Sequence, residues 1–60
     1  MKRHELERRL REAGFVLKRH GGKHDVWFNA EFSRTEYVPR HSEINERLAQ
    51  AILKRAEERK

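Results

Sequence analysis

Cysteine is absent from the sixty residues, which excludes disulfides and any thiolate-ligated metal. The lack fits a reducing compartment, and a cytoplasmic location is the expectation. No apolar run approaches the roughly 20 residues that a membrane span needs. The start is charged from Lys2 onward and has no apolar h-region, so no secretory signal is read there. Also missing are a P-loop, a GxGxxG turn, a GxSxG elbow, an HExxH helix and any carboxylate cluster with metal-site spacing. No cofactor and no metal are therefore expected.

Apolar residues are scarce as well, at 35% against 42% charged. A chain this short buries only about 60% of the surface its unfolded form exposes. One domain over residues 1–60 is the expectation, with chemistry confined to an open face or shallow groove. Fifteen Lys and Arg against ten Asp and Glu leave a net charge of +5. That excess favours a polyanion such as RNA or DNA, or an acidic protein surface.

Proline occurs once and glycine three times, so each punctuates the chain. Leu6, Leu10 and Ala13 recur at helical spacing over Lys2–Ala13, and Gly14 follows as a stop. Phe15–His20 and Asp25–Asn29 read as strands joined by a loop at Gly21-Gly22-Lys23. Thr35–Val38 reads as a third strand, ended by Pro39, which has no amide to give the ladder. Ser42 is the expected N-cap of a second helix with Ile44, Leu48, Ile52 and Ala56 as its stripe and Ala51 beside it. The fold class is α+β, in the order α-β-β-β-α. A three-stranded antiparallel sheet carries both helices on one face and leaves the other open.

Hairpin register decides which residues share the open face, because a one-residue slip inverts every side chain. A two-residue turn groups Phe15, Leu17, Val26 and Phe28 and sends Trp27 outward. A three-residue loop groups Phe15, Leu17 and Trp27, leaving Val16, Lys18, His20, His24, Val26 and Phe28 opposite. The second is preferred because it buries the largest side chain. It also sets His20 against His24 on the exposed sheet.

His24 is the sharpest candidate for chemistry. It follows a glycine pair, which suits a tight bend or close backbone approach, and imidazole exchanges protons near neutral pH. Cutting RNA without a metal needs a base for the ribose 2′-hydroxyl, a proton for the departing 5′-oxygen, and positive charge for the phosphoryl oxygens. Lys18, Arg19, Lys23 and Arg40 are the nearby cations, and His20 is a candidate RNA contact. His41 is read as a loop residue and His4 as an outward helical position. Convergence of His20, His24, Asp25 and His41 on a metal is weighed and set aside. A glycine turn before a histidine is also an ordinary hairpin. The charged residues of both helices, including Lys54, Arg55, Arg59 and Lys60 among Glu57 and Glu58, read as solvated faces with weak ion pairs.

The run Gly14-Phe15-Val16-Leu17-Lys18-Arg19, then Gly21-Gly22-Lys23-His24, then Val38-Pro39-Arg40-His41 and Ile44, resembles the HicA family of toxin–antitoxin systems. The resemblance covers nearly the full chain. It implies a double-stranded-RNA-binding-domain-like fold and an mRNA interferase whose essential histidine corresponds to His24, with Gly22 in the same motif. It also implies a HicB-type antitoxin as partner. Many members carry Ser where this chain has Lys23, which puts phosphate contacts or rate in doubt rather than the acid/base group. His20, Lys18, Lys23 and Arg40 as RNA or phosphate binders rest on charge and geometry, and Gly21 and Gly22 on the turn. The alternatives are a non-catalytic RNA-binding module and an interaction domain for an acidic partner.

Overall fold

The computed structural model describes residues 1–58; Arg59 and Lys60, read above with the charged end of the second helix, lie outside the described residues. The elements are α1 (Arg3–Glu12), β1 (Val16–His20), β2 (His24–Asn29), β3 (Arg34–Pro39) and α2 (Glu46–Glu57). The strands form one antiparallel sheet in the order β1-β2-β3. Leu6 and Leu10 of α1 and Ala49, Ile52, Leu53 and Ala56 of α2 form one core with Phe15, Trp27, Val38 and Ile44. Both helices therefore cover the same side of the sheet. This is the expected α-β-β-β-α, double-stranded-RNA-binding-domain-like architecture. At 29 × 22 × 14 Å the molecule has no depth for a third layer, and the other sheet face stays open.

Helix α1 ends as its sequence dictates. Gly14 has φ of 100°, the Phe15 amide donates to Leu10 O at 2.9 Å, and the Gly14 amide to Arg11 O at 3.0 Å. These paired bonds satisfy orphan carbonyls and deliver Phe15 onto Leu10 in the core. Buried Asn29 locks the same corner, donating to Ala13 O at 3.1 Å and accepting from the Glu31 amide at 2.9 Å.

Helix α2 departs from the sequence reading. Its cap is Asn45, whose Oδ1 accepts from the Arg47 and Leu48 amides, and not Ser42. The reason lies at the other end of the chain. Ser42 O accepts from the Arg3 amide at 2.9 Å, and the Ile44 amide donates to Met1 O at 2.7 Å. Residues 42–45 are thus drawn out alongside the start of the chain, and the helix begins only at Glu46. Its buried stripe shifts to Ala49, Ile52, Leu53 and Ala56, while Leu48 is 40% exposed. Ile44 is still buried, but ahead of the helix.

The hairpin register is mixed. Val16 faces Phe28 and Leu17 faces Trp27, the three-residue-loop alignment, and Trp27 is only 1% exposed. Beyond Leu17 the alignment slips by one: Arg19 faces Val26 and His20 faces Asp25. Lys18 is the extra residue of a β-bulge. The expected pairing of His20 with His24 is corrected by this slip. Leu17 shares the helix side with Trp27 but, on an edge strand, is 39% exposed.

Candidate functional site at the hairpin turn

The turn is braced on both sides. The Gly21 amide donates to His24 O at 2.8 Å, closing the loop. A Cβ on Gly21 would lie 2.5 Å from that same carbonyl oxygen, so close approach, not a positive φ, requires glycine there. At Gly22 a Cβ would meet nothing within 4 Å. Arg40, just past β3, donates from Nη1 to Gly21 O at 3.4 Å. Gly22, Lys23 and His24 lie exposed along this bend.

His24 opens β2 opposite Pro39. Strand alternation puts it with Val26 and Phe28 on the side away from Trp27 and the helices. Its imidazole is thus presented on the open face from a fixed backbone. Lys18 lies on that face too, its Nζ 5.2 Å from the Phe28 ring centroid. The bulge turns Arg19 the same way, opposite Val26. Val26 is buried although it belongs to this open side and lies outside the core cluster.

The other two candidates go to the helix side. Asp25 shares the parity of Trp27 and is 4% exposed. Its Oδ1 takes the Nδ1 of His20 at 2.9 Å and the Arg40 Nε at 3.5 Å. A buried carboxylate needs such partners. His20 and Arg40 therefore form one cluster with Asp25, and His24, Lys18 and Arg19 lie across the sheet from it. His41 and His4 are exposed. Among the described residues no group of three His, Asp or Glu side chains is placed to hold a metal ion, so His20, His24, Asp25 and His41 are not drawn together.

In the sequence Asp25 enters only with the metal convergence set aside above, because a single carboxylate beside a histidine carries no periodic signal. Its partner becomes evident only once the bulge is known. No cavity is enclosed among the described residues, so a ligand of this site lies along the surface. An exposed imidazole on a rigid bend, beside cations and an open sheet, can exchange a proton with an extended polyanion.

A family model described as the HicA toxin of bacterial toxin–antitoxin systems matches residues 3–57. No curated protein and no solved structure matches the chain.

Proposed function

Because the chain belongs to the HicA toxin family, the toxin side of a toxin–antitoxin pair, we propose that it is a metal-independent endoribonuclease of mRNA with His24 as its acid/base group. The observation that carries this reading is the exposed His24 ring, held on the open sheet face by a turn closed through Gly21. In the reaction the ribose 2′-oxygen attacks phosphorus and the bond to the 5′-oxygen breaks. One proton leaves the 2′-hydroxyl and another reaches the 5′-oxygen, and His24 carries one of these transfers. Lys18 and Lys23 meet phosphate oxygens on the His24 side. Arg40 and His20, held by Asp25, meet the backbone where it rounds the turn. A HicB-type antitoxin neutralises the toxin in the cytoplasm by covering this site.

The test is cleavage of single-stranded RNA by wild type and His24→Ala. The substitution is expected to lower the rate by at least the 10²–10⁴-fold (about) of a positioned acid or base, while largely sparing RNA binding. EDTA is expected to leave the rate unchanged. Wild-type protein that binds RNA and never cuts it would instead be a non-catalytic RNA-binding module.

A further inference from the structure

The strands sort their charge by face. Their only two carboxylates, Asp25 and Glu36, both point to the helix side, and each is tied to an arginine there. The open side carries Lys18 and Arg19, brought together by the bulge, with His24 at its turn end and no strand carboxylate. On the edge strand β3 of this face stands Tyr37, the only tyrosine, 59% exposed and paired with Val26 of the central strand. His24 is the diagonal neighbour of Tyr37, since it pairs with Pro39 two positions along. Such neighbours lie about 7–8 Å apart, within reach of an aromatic ring.

An exposed aromatic ring on one edge strand, with cations on the other, fits single-stranded nucleic acid laid across the face, whose bases stack on the ring while the phosphates meet the charges. We propose that the open sheet face is a single-stranded RNA track on which Tyr37 stacks the base of the nucleotide adjacent to the scissile bond. Lys18 and Arg19 hold the phosphates along β1. This inference rests on the reading of RNA as substrate. It adds the group that sets which nucleotide presents its 2′-hydroxyl to His24. Val26, buried on the central strand, is the cross-strand neighbour of Tyr37 on this face. Stacking tolerates any base, so the track favours unpaired over duplex RNA.

Binding of a labelled single-stranded RNA oligonucleotide is measured in the His24→Ala background at fixed salt. Tyr37→Ala is expected to weaken it by about five- to 150-fold, the range for one base–aromatic stack. Tyr37→Phe keeps the ring and is expected to restore it. Tyr37→Thr keeps strand propensity without the ring and serves should the alanine variant unfold. Lys18→Ala and Arg19→Ala are each expected to reduce the slope of log affinity against log salt by about 0.7. Unchanged affinity in folded ring-less variants overturns the proposal. So does a ring-less variant that binds RNA normally but escapes its antitoxin, since the face would then be a protein-docking surface. Cleavage lost in His24→Ala, with binding indifferent to Tyr37, sinks the stacking site alone. Ring-dependent binding by a wild type that never cuts sinks the nuclease reading alone.

Discussion

At the scale of single residues, the two glycines of the turn divide the work between folding and approach. A methyl group on Gly21 would collide with the backbone carbonyl of His24, which no side-chain rotation relieves. Gly21→Ala is therefore expected to destabilise the fold by about 1–3 kcal/mol, the range for overpacking. It should shift His24 and lower cleavage along with thermal stability. Gly22→Ala meets open space and is expected to stay within about 0.5 kcal/mol of wild type. A fall in cleavage at Gly22 without a fall in melting temperature would mark it as a place where RNA backbone comes close. Calorimetry and cleavage assays on the pair check both statements. Trp27 illustrates another residue-scale tension. Its buried Nε1–H has no partner among the described residues, and the Arg11 guanidinium lies 5.2 Å from the ring centroid. The indole is kept for its area, since an unpaired donor costs about 1–3 kcal/mol.

At the scale of elements, what was legible in sequence is what local chemistry decides. Gly14 stops α1 and Pro39 is the last residue of β3, because backbone freedom and a missing amide act where they stand. The two helices and three strands follow from apolar spacing. The bulge at Lys18 was illegible because it depends on β1 and β2 together, and it alone removes His20 from the His24 face. The start of α2 was misplaced for a similar reason: Ser42 offers an adequate local cap, but its carbonyl is taken by Arg3. The Glu36–Arg55 pair escaped too, hidden among many exposed helical charges. Arg55 donates to Glu36 from Nε at 3.1 Å and from Nη2 at 3.0 Å, joining α2 to β3. That hydrogen-bonding raises the Arg55 pKa, against the opposing effect of desolvation. The pair is lopsided, with the Glu36 side chain 7% exposed and that of Arg55 53%. Arg55→Ala strands a buried carboxylate, whereas Glu36→Ala frees a guanidinium that water can solvate. Arg55→Ala is expected to destabilise by about 2–3 kcal/mol, below the full loss for a wholly buried pair. Glu36→Ala is expected to cost less. Urea denaturation of the two variants compares them directly, and equal losses would contradict the account.

At the scale of the whole molecule, the fold is closed by a clasp between its first residue and the β3–α2 connection. The Met1 ammonium donates to Ile44 O at 2.9 Å and to Glu43 and Glu46 at 3.2 Å each, while Lys2 pairs with Glu43 at 3.2 Å. Burial pulls the ammonium pKa down, but the hydrogen bonds and negative charges of Glu43 and Glu46 together outweigh it and leave the value raised. The Lys2 and Met1 hydrogen bonds lower Glu43; those of Gln50 and Met1 lower Glu46. Both signs bear on stability. The lowered carboxylates contribute above the ordinary glutamate value, about 4.3, and that contribution fades as pH falls through their folded values. The raised ammonium contributes fully below the ordinary α-amine value, about 8, and its share fades as pH climbs through the folded value. Melting temperature is thus expected to plateau between these limits and to fall on either side, less steeply in high salt because the pairs are exposed. Acetylating the N-terminus should lower the plateau and flatten the decline that begins near pH 8. Glu43→Gln with Glu46→Gln should flatten the acid limb and, because these two carboxylates are what raise the ammonium, the alkaline decline with it. An alkaline decline that survives acetylation unchanged would place the responsible group elsewhere and leave the clasp without its titrating member.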